Sequence, residues 1–517
     1  MKRKRTSSST PSHSYKPFSA DSISHLLDFC TENGVRIDPR LEIRYSIPEG
    51  ADDGRPIAVF LREGGEDIPV DTNVVYIPKR AVLSMKSTGL EELQLPSGYE
   101  PVPFGVGAQL ALALALYLEV VKGPGSRWHA YIQSLPENVV DLPVFWSTEA
   151  GDKDDLTRRE DAKKACSWLR GTEVEQNNTI GLLKTIDAYY EEVVIPVFNL
   201  NVHHLSKASP SLKDFYRAYS LVSSRAFIVD AYHGLSMVPV ADAFNHTTDN
   251  HVQLESEYDV CPECGSLKQC PHDRDLEGTE NDRNADTDND ELYYTMTTTS
   301  YIPSTTTEVF NTYGAHLSNA QLMAQYGFIL DVNEADWVGW DASEIVGEDE
   351  YDKVMQIWRL CTAGLLEDAH GDSEVFYMPL NSGGAPDSRR VFSVNSDGRI
   401  SVQLWCLLAI SWVTETQGTL VDEDVVSLVM ELLKNTSSDN SSEDTQASRR
   451  SIMERAVKLC EDRLGMIGVD GVDAGAELDE VPASMWRTRI AILQVMAEQA
   501  MLRSCIEECI YIQMDDC

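Results

Sequence analysis

The first residues of the chain, 1 to about 17 (MKRKRTSSSTPSHSYKP), carry Ser, Thr and basic side chains without hydrophobic periodicity, and are expected to be disordered. An ordered pattern begins near Phe18. IAVFLR from Ile57 and VDTNVVYIP from Val70, separated by the turn EGGED, predict short strands of a small sheet. From about Val106 to Tyr219 the alternation disappears. VGAQLALALALYLEVV, the segment around WLRGTEVEQ and IDAYYEEVVIPVFNLN there predict a helical insert. Strand signals return in RAFIVDA, LSMVPVAD and ELYYTMTTTSYIP, so a β region is split by a helical one. Beyond Asp331 the pattern is mainly helical. In the last helix Leu493, Met496, Ala497, Ala500 and Met501 recur at helical spacing and predict one apolar stripe. Asp273 to Glu291 is acidic and expected to form a mobile loop, and Lys434 to Ser448 reads as a solvated loop.

A chain of 517 residues with 42% hydrophobic content can bury a large core and should hold two or three domains. Leu110 to Leu118, the longest apolar run, falls short of the ~18 residues of a membrane span and reads as a buried helix, so no membrane anchor is expected. The basic start lacks an apolar stretch behind it and is not a secretory signal, which favours the cytoplasm and also allows the nucleus. Lys2 to Arg5 reads either as a nuclear localisation signal or as the end of a basic tail. Most of the cysteines, such as Cys166, Cys361 and Cys406, sit among apolar neighbours and read as reduced core thiols. The net charge of −40 argues against a DNA- or RNA-binding surface, because phosphate contacts need basic residues. It suits a basic protein partner, and equally it serves solubility alone.

Three cysteines cluster, in CPECGSLKQCPHD. Cys261 and Cys264 form a Cys-x2-Cys knuckle with Gly265 just after it, and Cys270 and His272 can complete a tetrahedral zinc set. The plainer reading is an ordered loop with free thiols. A four-ligand site would be structural, since no open position remains for catalysis.

Four distant segments carry further chemistry: SSRAF (Ser223 to Phe227), VADAFNH (Val240 to His246), EVFNTYG (Glu308 to Gly314) and LSNAQLMAQYGF (Leu317 to Phe328). Singly each is weak, because an Asn-His pair is usually a turn and a Tyr-Gly pair usually ends a strand. In this order they resemble the SET-domain protein lysine methyltransferases, specifically the Rubisco and ribosomal-protein subgroup of fungal type. AYIQSLPENVVDLPVFWS, WLRGTEVEQ, NSDGRISVQLWCLLAIS and WRTRIAILQ extend the resemblance over most of the chain from about 20 to 510.

The resemblance implies an α+β fold. A pseudoknotted SET β core over 18 to 330 would be interrupted by a helical insert at about 106 to 220 and by the Cys/His and acidic loop at about 258 to 291. An all-α substrate-binding domain would follow over 335 to 517. It implies S-adenosylmethionine as the methyl source and a basic protein as substrate, a ribosomal protein by preference or a histone or other nuclear protein. Asn245 and His246 would offer backbone groups to the adenine end, and Arg225 would hold the cofactor carboxylate through its fork of donors. Asp242 matches the acidic position before the Asn. Tyr313 and Tyr326 would be the catalytic tyrosines, Tyr313 also touching the cofactor, while Ser224, Tyr326 and Phe328 would line the lysine channel. Bland alternatives stand beside these roles: the tyrosines as packed aromatics, Arg225 as the partner of a structural carboxylate such as Asp230, and Asp242 as purely structural.

Two positions depart from the family pattern. Gly54-Arg55-Pro56 stands where a Gly-x-Gly turn is usual, and proline fixes φ and removes an N–H donor. Thr305 to Thr307 replace the usual Gly-Glu before EVF. The rival expectation is therefore a non-catalytic SET-fold scaffold that binds a basic partner.

Overall fold

A computed structural model describes the chain from 21 to 515 apart from 47–56, 91–92, 103, 149–155, 177–178, 204, 206–208, 258, 268–269, 273–292, 363–374, 377–387, 417–421 and 435–442. The basic tail, Gly54 to Pro56 and the whole acidic loop from Asp273 to Glu291 lie outside the described residues. The chain divides into two compact units, one of Met1–Leu142 with Leu182–Ala315 and the other of Pro143–Gly181 with His316–Cys517.

In the first unit the strands are β1 (Arg36–Ile37), β2 (Leu41–Arg44), β3 (Ala58–Leu61), β4 (Asn73–Pro78), β5 (Leu83–Ser84), β6 (Ala226–Ile228), β7 (Leu235–Met237), β8 (Val252–Glu255) and β9 (Tyr293–Thr298). The runs at 57 and 70 do form β3 and β4, but in different sheets. β3 pairs with β2, whereas β4 lies between β1 and β9 in the antiparallel order β1-β4-β9-β8. The β-rich run ending at Thr298 thus becomes the partner of a strand more than 200 residues earlier, with Val75 opposite Met296. β5, β7 and β6 make a third small sheet.

A single stretch of chain links two of these layers. On one side Leu61 donates to the Thr307 carbonyl at 2.8 Å and Val309 to the Val59 carbonyl at 2.8 Å. On the other, Asn311 donates to the Asn245 carbonyl at 2.8 Å, and His251 and Val252 both donate to the Phe310 carbonyl, at 2.9 and 3.1 Å. Residues 307–311 therefore run between 59–61 and 245–252 and pair with both.

The helical insert supplies the support behind the small sheets. Helix Gly105–Lys122 is apolar on every side and, by length and composition alone, would span a membrane, yet its residues 110–119 are all buried in the core of this unit. Against it packs Leu212–Arg225, started by the Ser211 side chain, which accepts from the Asp214 N–H at 3.3 Å. Asp214 in its first turn and Arg225 in its last both suit the helix dipole. Its buried face (Phe215, Tyr216, Tyr219, Leu221, Val222) orients the helix so that Arg225 emerges where β6 begins.

The second unit joins residues 143–181, which the sequence pattern groups with the helical insert, to the C-terminal helices. Strands β10 (Trp337–Gly339), β11 (Val375–Phe376), β12 (Ser393–Asn395) and β13 (Ile400–Ser401) form a sheet of order β10-β12-β13-β11, absent from the helical expectation because strands of two or three residues leave no alternation to read. Two buried carboxylates tie the short segment in. Asp161 caps the long helix Trp486–Asp515 from outside, accepting from the N–H of Thr488 at 2.9 Å and its hydroxyl at 2.7 Å. Glu173 accepts from Arg463 at 2.8 Å and from the Gly339 N–H at 3.1 Å, and lies 3.4 Å from Arg389. Between them Gly171 has φ +72°, and a Cβ there would stand 2.3 Å from the Met466 carbonyl oxygen. That position of WLRGTEVEQ admits only glycine.

The last helix is phased differently from the sequence stripe. Leu493 is 38% exposed and Ala500 is exposed, while Ala491, Val495, Glu498, Leu502, Cys505 and Cys509 are buried. Glu498 hides the true periodicity, because its carboxylate is fully buried and accepts from the Glu173 N–H at 2.9 Å and from Gln494 at 2.8 Å.

Burial, reinforced by the Glu173 carboxylate, pushes Glu498 up to about 8. An unfolded glutamate titrates near ~4.3, so between the two values the folded chain holds a proton that the unfolded chain has lost, and stability falls as pH rises, by at most about 1.4 kcal/mol per pH unit. Urea unfolding of the whole chain should show the wild type losing stability between pH 6 and 8 relative to Glu498→Gln. Parallel pH profiles for the two proteins would contradict the buried proton.

Candidate functional site

In the first unit the chain brings SSRAF, VADAFNH and EVFNTYG together. Arg225, held at the junction of helix and β6, donates from Nη1 to the Asp242 carbonyl at 2.9 Å, with the Asp242 carboxylate 3.6 Å away. The acid that faces it is therefore Asp242 and not Asp230, which is occupied by Lys79 at 3.6 Å and by the N–H groups of Tyr232 and His233 at 3.1 and 2.7 Å. Asp242 is buried, and desolvation raises its pKa against the opposing pull of Arg225 and Tyr131. Its second partner is the Tyr131 hydroxyl at 2.9 Å, from the insert. Just before it Val240 holds φ +73°, a left-handed conformation that costs a β-branched residue on the order of 1–3 kcal/mol. Such strain persists only where the surroundings over-determine it, and Val240 is fully buried.

Asn245 and His246 both lie along one edge of residues 307–311. The Asn245 side chain donates to Glu308 at 2.6 Å while its carbonyl accepts from Asn311. His246 Nδ1 accepts from the Tyr313 N–H at 3.0 Å, which places the ring proton on Nε2 in the neutral imidazole, and the two rings stack at 5.2 Å and 29°. The Tyr313 hydroxyl donates to the Phe244 carbonyl at 3.2 Å. Ser224 spends its hydroxyl on the helix, donating to the Ser220 carbonyl at 2.7 Å.

Tyr326 and Phe328 lie in the second unit, their rings 6.3 Å apart. Tyr326 ends helix Asn319–Tyr326, whose start is fixed by a capping box between Ser318 and Gln321. The buried Asn319 side chain bridges the Leu330 backbone, accepting from its N–H at 2.8 Å and donating to its carbonyl at 3.0 Å. Asp336 receives the Asn319 N–H at 2.5 Å, and burial raises its pKa to about 6. Ser318 and Asn319 of the fourth segment thus set where Tyr326 and Phe328 stand.

The Cys/His loop belongs to the first unit. Ligand atoms of Cys261, Cys264, Cys270 and His272 all lie within 4.8 Å of one another, with Cys261 Sγ 3.8 Å and Cys270 Sγ 3.6 Å from His272 Nδ1. Burial opposes ionisation of Cys261, but the N–H groups of Glu263 and Cys264 lead in holding its thiol down to about 7.

No family model matches the chain. It is 26% identical over 410 residues to ribosomal lysine N-methyltransferase 3 of Saccharomyces cerevisiae, covering 67% of this chain and 69% of that protein. To N-lysine methyltransferase setd6 of Xenopus laevis it is 24% identical over 330 residues, 59% of this chain and 57% of that one. Among solved structures, the SET domain of LSMT bound to lysine and AdoHcy superposes with a TM-score of 0.61 at 16% identity, over 96% of this chain and 92% of the other. The chain resembles named lysine methyltransferases in sequence and has the fold of the SET domain of LSMT. The crossing of residues 307–311 with 245–252 is the pseudoknot of that fold.

Tyr131, Glu308, Asn319 and Asp336 were not singled out in the sequence. Each carries an ordinary structural residue type, and its role depends on partners 11 to 111 positions away. Asp242→Ala should strip the buried Tyr131 hydroxyl and Arg225 of a shared acceptor and destabilise the chain by about 2–4 kcal/mol, against about 1 kcal/mol for Tyr131→Phe. Chemical denaturation of both variants checks the order; an equal or reversed effect would show that Asp242 is not the anchor.

Proposed function

We propose that the protein methylates the ε-amine of lysine in a basic protein, with a ribosomal protein as the preferred target and a histone or other nuclear protein as the further class. The observation that carries this is the pairing of Arg225 with Asp242 beside the stacked His246 and Tyr313, on a fold and sequence related to named lysine methyltransferases. The ribosomal preference follows the name of the yeast relative, and the charge of −40 is complementary to a basic target.

The donor set fits S-adenosylmethionine, which supplies a methyl group on a sulfonium. Arg225 would take its carboxylate, with Asp242 setting the guanidinium, and Asn245, His246 and Tyr313 would line the rest. The Tyr313 hydroxyl oxygen and the Phe244 carbonyl, 3.2 Å apart, form a polar pair to which a substrate amine can donate. A lysine amine that has first lost a proton to water would take the methyl carbon as the carbon–sulfur bond breaks, leaving a methylated ammonium and a neutral thioether. Neutralising a lysine of pKa ~10.4 near pH 7 costs about 4–5 kcal/mol, whereas aligning two reactants contributes ~7–11 kcal/mol. Alignment outweighs deprotonation, so no strong base is needed. The channel-lining roles of Ser224, Tyr326 and Phe328 rest on the family resemblance.

The same proposal gives Cys261, Cys264, Cys270 and His272 a zinc ion outside the transfer, since four protein ligands leave no open position. It places the protein in the cytoplasm, with the nucleus as second compartment, in keeping with cysteines such as Cys361 and Cys406 that are buried thiols.

Incubation of the purified chain and labelled S-adenosylmethionine with ribosomal protein should label a lysine. Tyr313→Phe should cut kcat by roughly a hundredfold with cofactor Kd nearly unchanged, because one aligning hydroxyl is lost. Arg225→Ala should first raise that Kd, by about 10- to 100-fold for a lost charged hydrogen bond. Calorimetry with no binding at millimolar cofactor would sink the enzyme and leave a scaffold.

A further inference from the structure

Between β8 and β9 the chain leaves the central sheet after Glu255 and returns at Tyr293. Near its departure it folds into a tight knuckle in which Cys261 donates to the Ser266 carbonyl at 2.8 Å and Gly265 to the Cys261 carbonyl at 2.7 Å. Little apolar packing holds this part in place. Among the described residues of 256–272, only Val260 and Cys261 are buried.

The knuckle nevertheless rests on a specific platform. Gly265 has φ +72°, and a Cβ there would come within 3.0 Å of the Tyr232 ring, so the backbone of the knuckle lies directly against that ring. Tyr232 belongs to the turn between β6 and β7, which is rigid because one carboxylate organises it. Asp230 accepts from the N–H groups of Tyr232 and His233, from the Tyr294 hydroxyl at 2.5 Å, and faces Lys79. The Ser256 hydroxyl adds a short hydrogen bond to the Val229 carbonyl of the same turn.

Two of the donor separations match the edges of one small tetrahedral site. With Zn–S of ~2.3 Å and Zn–N of ~2.0–2.1 Å, tetrahedral edges are about 3.8 Å between sulfurs and about 3.6 Å from sulfur to nitrogen. The observed sulfur to Nδ1 separations are 3.8 and 3.6 Å. Three thiolates and an imidazole are a soft donor set of the kind that selects zinc.

We propose that a zinc ion held by Cys261, Cys264, Cys270 and His272 is the clasp that seats this loop on the Tyr232 turn. The proposal rests on the zinc reading above and adds what the metal is for. Closing the loop from Cys261 to His272 fixes the knuckle in the one shape that lets Gly265 lie on Tyr232, and metal binding is here loop-folding free energy. The seated turn is the far end of the hairpin whose first strand follows Arg225.

Metal analysis of the full chain purified without chelator should find about one zinc, and cobalt exchanged into it should show thiolate-to-cobalt absorption. Removing the zinc with a chelator, or making Cys261→Ser with Cys264→Ser, should speed limited proteolysis near the loop by about tenfold. Tyr232→Ala should keep the zinc yet already cleave at a rate close to that of the metal-free protein. A chain without zinc whose three thiols titrate freely overturns the metal, as does bound iron in its place. Zinc present but a Tyr232→Ala loop as protected as wild type overturns the seating. Should the double Ser variant not fold, chelation of the wild type gives the same comparison. Because stoichiometry and proteolysis need no methyl acceptor, these results stand apart from the outcome of the methylation assay.

Discussion

Residues 307–311 have hydrogen-bonding partners on both edges, and the first unit depends on that double engagement. Buried peptide groups must all be paired, and here the pairing is split between 59–61 on one side and 245–252 on the other. Neither layer can shift without breaking the other. Tyr313 leaves this crossing two residues later with its N–H already committed to His246, so the ring has little freedom left. Positioning of this kind is what methyl transfer from a sulfonium to an amine requires, since alignment is the larger energetic contribution.

The first unit treats two buried aspartates in opposite ways. Asp230 is desolvated, yet hydrogen bonds led by His233 and joined by Tyr294 hold it well below the usual carboxylate range, and it organises a turn. Asp242 has fewer compensating donors, so desolvation wins and its pKa rises, although Arg225 and Tyr131 remain in contact. One acid is a structural hub. The other supports the Arg225 guanidinium. In the second unit burial raises both Glu173 and Glu498, although cations surround the first and an amide and a backbone N–H reach the second.

The WLRGTEVEQ element shows how a family signature can be architectural. Gly171 passes under the Met466 carbonyl, and Glu173 gathers Arg389, Arg463 and the Gly339 N–H into one buried cluster. Breaking such a pairing leaves buried charge without a partner, a loss of about 3–5 kcal/mol. These residues make the segment 143–181 part of a unit whose other residues begin at His316.

Composition and spacing determined the interrupted β region, the apolar helix at 105–122 and the Cys-x2-Cys knuckle, because each is written in neighbouring residues, while the α+β class came from the resemblance. The segments around Arg225, Asn245 and Tyr313 were legible as well, through their order along the chain. Tertiary structure alone decided the rest. That β3 and β4 join different sheets depends on partners far along the sequence, for which local alternation holds no record. The phase of the last helix was hidden by Glu498, whose burial is made tolerable only by a proton and by donors from Glu173 and Gln494. Tyr131 and Asp336 gained their roles in the same way, since a polar side chain becomes an anchor only when distant chain excludes water around it.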